Sequence, residues 1–292
     1  MLVKMAILGL FLVLASPYVA AGFGWSNGGW STDPATPKYG THDWIAQHAL
    51  DWLPVDEKQT IINNLAVYLY GTELPDNAHA PDGAGIGDTS KHHVYYYANG
   101  SLQDDSAAVR AQQEYDSALS YTRDGDWVNA SKRLGVMTHY ICDLGVFGHV
   151  MGSGTAWGNE VHHSDFEDYV LSRTDTYIAE FNAYLVFDGA LDNGSAYDAT
   201  LTLAFNTTFG DNGSYDCTWM DQSYGWSNPT FKNRCGESLN LATNLVADVL
   251  HSFYQNVVVP EIPVNVILSL LVIAALLVAV ASRWKKWPDH ET

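Results

Sequence analysis

Apolar residues recur at helical spacing along most of the chain, and no stretch alternates long enough to read as a convincing run of strands. Thr41 can cap a helix HDWIAQHALDWL that runs to about Leu53, where Pro54 stops it. A second helix is predicted over 56–70 and ends at Gly71. Residues 71–90 hold Pro75, Pro81 and four glycines and show no period, which predicts a long functional loop. Helical spacing resumes over 104–121, 126–144 and 159–185. The stretch 186–236, with its repeated Asn-Gly, reads as turns, and a last helix over 237–256 leads to Pro260. There is no internal repeat. The expected fold class is all-α, a multi-helix domain.

Both chain ends are apolar and lie outside that domain. Residues 1–21 carry a lone Lys4, an apolar run over 5–15 and small residues ending Val19-Ala20-Ala21, the layout of a secretory signal peptide. Residues 264–282 hold no charge, enough length to cross ~30 Å of hydrocarbon as a helix. Arg283, Lys285 and Lys286 follow, between Trp284 and Trp287, so a tail over 283–292 is expected in the cytoplasm. The expected organisation is a signal peptide at 1–21, an ectodomain at 22–260, a transmembrane helix at 264–282 and that tail. It places the protein at the cell membrane, single-pass, with the large domain outside.

A hydrophobic fraction of 47% excludes a disordered chain, and the formal net charge is −19. Four of the 14 basic and three of the 33 acidic residues fall outside 22–260, leaving 10 basic against 30 acidic within it. Such a surface lacks the Lys and Arg by which proteins hold a polyanion, so no long nucleic acid is expected as a partner. The acidity suits a saline exterior and an archaeal surface protein. Sequons at Asn99, Asn129, Asn193, Asn206 and Asn212 suit an exported glycoprotein. Cys217 and Cys235, in a Gly- and aromatic-rich stretch, are expected to form a disulfide, with Cys142 a free thiol buried in a helix.

Among 11 histidines, spacing selects the chemistry. His139 and Asp143 are four apart, as are His163 and Glu167, so on helices each pair offers an imidazole and a carboxylate from one face. In HYICDLGVFGHV, His149 follows Asp143 by six residues and would point about 120° away on an unbroken helix. Gly145 and Gly148 supply the break that swings it back. Upstream, GTHDWI places His42 at a helix start, LPDN places Asp76 in the long loop, and KHHVYYY offers His92 and His93. His48, His79, His162 and His251 read as ordinary core or surface residues, and Asp165 and Asp168 as a solvated face.

In order and spacing these residues resemble the zinc-dependent phospholipase C proteins and their relatives, the fungal single-strand nucleases. The resemblance covers roughly residues 40–170 and the last helix. It implies a zinc held by His149, His163 and Glu167, a second held by Asp76, His93, His139 and Asp143, and a third held by His42 with Asp143 as bridge. His92 is the alternative to His93. In the family an N-terminal Trp completes the third site, and Trp25 is the residue here that could serve. Two or three zinc ions are thus expected. The implied activity is hydrolysis of a phospholipid or other phosphodiester, with zinc activating a water and Asp76 as the catalytic residue that orients or deprotonates it. Phe147 and Cys142 depart from the family's usual residues without being ligands. Two other readings stay open: a single-strand nuclease on the same scaffold, and a metal-stabilised binding ectodomain without turnover.

Overall fold

The computed structural model describes residues 25–258 except 212, together with 272, 273, 275 and 277. The expected signal peptide and cytoplasmic tail lie outside the described residues, as does all but four positions of the expected span at 264–282. Among the described residues no helix is long and apolar enough to cross a membrane.

The described residues are mostly helical, with α1 (Thr41–Trp52), α2 (Val55–Ile62), α3 (Leu65–Glu73), α4 (Ser106–Arg123), α5 (Trp127–Cys142), α6 (His163–Leu171), α7 (Ala196–Phe209), α8 (Cys217–Gln222) and α9 (Pro229–Val258). A two-stranded antiparallel hairpin, β1 (Tyr95–Tyr96) and β2 (Leu102–Asp104), was not legible as a run of strands. Its turn is local chemistry: Asn99 accepts from the Ser101 backbone N–H, and Gly100 takes a positive φ of 82°.

Helix α5 is the axis of the molecule, packed against α1, α3, α4, α7 and α9. Asp126 caps it by accepting from the Asn129 N–H at 3.0 Å, and from Leu134 to Cys142 every residue is buried. The chain was expected to end its second helix at Gly71. Instead Asn63 and Asn64 break that helix, and Gly71 lies inside α3. The reason is a close crossing: a Cβ on Gly71 would fall on the Lys132 carbonyl, and one on Gly135 would fall on the Tyr68 carbonyl. Backbone thus meets backbone where α3 crosses α5.

Three other expectations are corrected. Gly40, not Thr41, caps α1, with its N–H donating to the Asp43 carboxylate, while Thr41 is buried against Thr174. The helix expected over 159–185 is only α6, followed by a 3-10 turn at Glu180–Tyr184. The stretch expected as turns, 186–236, contains α7, α8 and the start of α9. Threonine gives α7 a poor helical signature, yet Thr200 and Thr208 fold their hydroxyls back onto the carbonyls of Ala196 and Ala204, both at 2.7 Å, and so enter the core with their polar groups satisfied.

Cys142, Cys217 and Cys235 are all free and buried, so the expected Cys217–Cys235 bridge is not formed. Cys217 opens α8 and Cys235 sits within α9, and both serve as small apolar core residues. Burial pushes the Cys217 thiol up to about 12. A thiol-reagent titration without reductant is expected to find three thiols in denaturant and none reacting quickly in the folded protein. A count of one would restore the bridge. Of the sequon asparagines, Asn99 and Asn193 are exposed, Asn129 and Asn206 are tied to Asp126 and Arg234, and Asn212 lies outside the described residues.

Candidate metal centre

The α3–α5 crossing aims the first histidine. The His139 Nδ1 lies 2.6 Å from the Thr72 carbonyl, which can only accept, so Nδ1 carries the proton and Nε2 is left bare. One turn on, Asp143 ends α5 and starts a 3-10 turn over Asp143–Gly145, fully buried. Val146 is extended, and a second 3-10 turn, Phe147–His149, follows. The two glycines do break the helix as expected and bring His149 back to the centre. A Cβ on Gly148 would fall on the His163 ring, so the closeness of these two histidines depends on that glycine. His149 donates from Nδ1 to the His92 carbonyl at 2.9 Å, which leaves its Nε2 bare too.

Among the described residues, three groups of side chains come close enough to hold an ion: His42, His139 and Asp143; Asp76, His92 and His139; and His149, His163 and Glu167, all buried. Asp143 links the first two. Its Oδ1 is 2.9 Å from His42 Nε2, and its Oδ2 is 2.9 Å from His92 Nδ1 and 3.1 Å from His139 Nε2. The His42 and His139 rings stack with centroids 4.1 Å apart. In the third group, Glu167 Oε1 is 2.7 Å from His163 Nε2 and 3.7 Å from His149 Nε2. His48, His162 and His251 belong to none of these groups and pair with Asp51, Asp221 and Glu57, while Asp165 and Asp168 are exposed.

His93, the residue that the resemblance favoured, is not in any group; His92 takes that place. After the turn Thr89–Lys91 burial alternates along the chain leading into β1, with His92, Val94 and Tyr96 buried and His93 and Tyr95 half-buried. His93 points the other way, its ring 5.5 Å from Tyr95 and 5.1 Å from His149. The signal was present in the sequence, since Val94 marks the inward parity.

Asp76 is reached by a residue that sequence reasoning missed. The Thr41 N–H donates to the Ser26 carbonyl, and Gly40 leaves no room for a Cβ against Ser26 and Asn27, so the segment 25–31 lies tightly over the start of α1. Asn27 thereby donates from Nδ2 to Asp76 Oδ2 at 3.0 Å. Asp76 Oδ1 faces inward, 3.4 Å from His92 Nδ1 and 3.8 Å from His139 Nε2. Beside Asp76 a pocket of about 300 Å³ is lined by Trp30, Ser31, Asn77, Ala78 and His79. Trp25 is buried beside Gly145, with its ring 5.3 Å from Phe166.

The fit to a cation rests on atoms left without partners. Asp76 Oδ1, Asp143 Oδ2, His149 Nε2, His163 Nε2 and Glu167 Oε1 are buried and make no hydrogen bond, although Glu167 Oε1 is 2.7 Å from His163 Nε2 and Asp143 Oδ2 is within 3.1 Å of His92 Nδ1 and His139 Nε2. Nitrogen and oxygen that close without hydrogen-bond alignment have lone pairs directed at a common point instead. An orphaned buried polar atom costs ~1–3 kcal/mol, so a cluster of them is unfavourable unless an ion satisfies it. Nitrogen and carboxylate donors are the ligand set of zinc.

The charges agree with this donor set. Burial would raise Asp143, but His139, His149 and His42 outweigh it and hold the carboxyl well below its ordinary value. Burial lowers His149 far below the usual imidazole range and His42 to about 4, so both rings are neutral and able to ligate. Asp76 is raised, by burial first and then by Asp143, while His139 and His92 oppose the rise.

A family model described as zinc dependent phospholipase C matches residues 41–246. Among solved structures, the alpha toxin from Clostridium absonum aligns with a TM-score of 0.52 and 19% identity, over 79% of this chain and 66% of the toxin. The alpha-toxin of Clostridium perfringens from avian strain SWCP aligns with a TM-score of 0.49 and 16% identity, over 80% of this chain and 67% of that one. At such identities the likeness to the first is one of fold. This chain thus spans about two thirds of the length of the toxins. No curated protein sequence matches it.

Proposed function

The chain belongs to the zinc-dependent phospholipase C family, and we propose that it is a phosphoric diester hydrolase acting on phospholipids or related small phosphodiesters, with two or three zinc ions. The observation that carries the proposal is the cluster of buried, unpartnered nitrogen and oxygen atoms, which fall into three ligand groups among the described residues, two of them in contact with Asp143.

Bound zinc would supply the charge that activates a water and offsets the charge growing on the phosphoryl oxygens. His149, His163 and Glu167 would hold one ion, Asp76, His92, His139 and Asp143 a second, and His42 with Asp143 a third. His42 and Asp143 alone are a sparse set, which Trp25 would complete through a free amino group and its carbonyl oxygen if cleavage after Gly24 rather than Ala21 made it the first residue. Asp76 would take a proton. Burial raises its basicity above that of a free carboxylate, Asn27 fixes its Oδ2, and its Oδ1 faces the centre at the edge of the open pocket. Trp30, 42% exposed, forms an aromatic wall where a substrate group would enter. The same proposal keeps the domain outside the cell and beside a bilayer, tethered through 264–282, where lipid is concentrated and free polynucleotide is not.

Zinc-loaded protein offered mixed phospholipid vesicles and single-stranded DNA and RNA over a range of salt is expected to cleave lipid or small phosphodiesters faster. Release of nucleotides at much higher efficiency would move the assignment to a nuclease. No turnover of either at full zinc occupancy would leave a binding ectodomain.

Zinc uptake should depend on pH in a defined direction. Burial raises Glu167 to about 8. At His163 burial opposes the charged form, but Glu167 and Glu160 overcome it and raise the ring to about 10; at His92, Asp143 and Asp88 do the same, also to about 10. The metal-free centre therefore holds protons at neutral pH that zinc must displace. Apparent zinc affinity is expected to rise with pH through the range up to about 10 and to fall toward acid. Chelator competition at about pH 6 and about pH 8 checks this, and an affinity that is flat or higher at the lower pH would contradict it.

A further inference from the structure

The outer nitrogens of three inward-facing histidines have acceptors, while that of His42, Nδ1, has none. Those of His139 and His149 donate to backbone carbonyls, and that of His163 lies 3.5 Å from a carboxylate oxygen of Glu160. His92 is turned the other way round. Its Nδ1 faces Asp143 and Asp76, and its Nε2, buried and without a hydrogen bond, lies 3.6 Å from Asp88 Oδ1. Resting on the zinc reading above, we infer that Asp88 is the positioning residue for His92, and that Tyr140 and Arg110 hold Asp88 in place for that purpose.

Asp88 stands four residues before His92, across the 3-10 turn Thr89–Lys91, and its carbonyl accepts from the Lys91 N–H at 2.7 Å. Both of its carboxylate oxygens are engaged from the far side. Tyr140 donates to Oδ1 at 2.5 Å, and Arg110 donates from Nε to Oδ2 at 2.9 Å. Arg110 is itself fixed, donating to the Tyr140 hydroxyl at 3.1 Å and to Glu114 at 2.8 Å, and Arg133 donates to the other oxygen of Glu114 at 3.1 Å. Successive residues of a helix project ~100° apart, so α5 presents His139 to the centre and Tyr140 to the support behind His92. The His-Tyr pair of the sequence thus acquires two separate duties.

A carboxylate on the outer nitrogen fixes which nitrogen keeps the proton and how the ring is turned. With Asp88 accepting at Nε2, the proton that a metal displaces from His92 is the one on Nδ1, and the lone pair this leaves is aimed between Asp76 and Asp143. Closing the 3.6 Å gap to a hydrogen bond takes a shift of about 0.5 Å.

Asp82 is a built-in control. It accepts from Tyr70 at 2.8 Å and from Lys132 at 2.9 Å and is 25% exposed against 26% for Asp88, so it has the same kinds of partner, but it faces none of the inward histidines. Zinc affinity measured by chelator competition, with the visible absorption of cobalt-substituted protein as a second readout, tests the role. Asp88→Ala is expected to weaken one zinc about 10- to 100-fold and to change the cobalt spectrum, while the zinc of His149, His163 and Glu167 is retained. Asp88→Asn, whose amide oxygen can still accept, should fall between. Asp82→Ala should leave affinity and spectrum unchanged. If Asp88→Ala fails to fold, Tyr140→Phe removes only the hydroxyl and is expected to weaken the same zinc severalfold. Wild-type affinity in whichever of these two Asp88-directed variants folds, or an equal loss in Asp82→Ala, would overturn the role of Asp88. Wild-type protein that binds no zinc would overturn the metal reading and this inference with it.

Discussion

Asp143→Ala is expected to strip metal from two of the three ligand groups and to abolish phosphodiester turnover, while the group of His149, His163 and Glu167 still binds. The asymmetry follows from position. Asp143 touches His42 through one oxygen and His92 and His139 through the other, whereas Glu167 is the carboxylate that contacts His149 and His163. Stability of the metal-free protein should fall as well. Removing one member of a buried ion pair costs about 3–5 kcal/mol, and the lower end applies here because His92 can shed its proton once Asp143 is gone. Denaturant unfolding of the metal-free variant and zinc per chain after dialysis measure the two effects. Retention of full zinc content would remove Asp143 from its bridging place.

Asp76→Asn is expected to behave differently, keeping the fold and most of the metal but losing turnover about 10²- to 10⁴-fold, the size of effect a positioned acid or base contributes. Its metal group still has His92, His139 and Asp143, and an asparagine there can keep the hydrogen bond from Asn27. What disappears is a buried carboxylate that can accept a proton. The check is kcat on a soluble phosphodiester at matched zinc occupancy. A native rate would take Asp76 out of the chemistry, and loss of zinc in proportion to activity would make it a ligand only.

The sequence was most readable where helical period and boundary chemistry agreed. Pro54 marked the end of α1 to within two residues, and Asp126 marked the start of α5. Gly145 and Gly148 announced the break that returns His149 to the centre. Reading failed where tertiary contacts override local signals. Gly71 looked like a helix stop because its real reason, the backbone of α5 pressed against it, lies more than 60 residues away. The threonines of α7 obscured a buried helix, and the spacing of Cys217 and Cys235 suggested a bridge where the fold uses two apolar side chains. At the centre, the i, i+4 pairs were visible because both partners sit on one helix or at its end. Asn27 was invisible, since nothing local links it to Asp76, and family spacing favours His93 where the alternation through Val94 and Tyr96 turns His92 inward.

The most direct test is phosphodiester hydrolysis by metal-free protein as zinc is added back in measured equivalents. Activity is expected to be absent without metal and to reach a plateau only after at least two zinc ions per chain are bound, since the ligand groups on either side of Asp143 must both be filled. Turnover in the fully chelated protein, or none at complete zinc occupancy, would contradict the account.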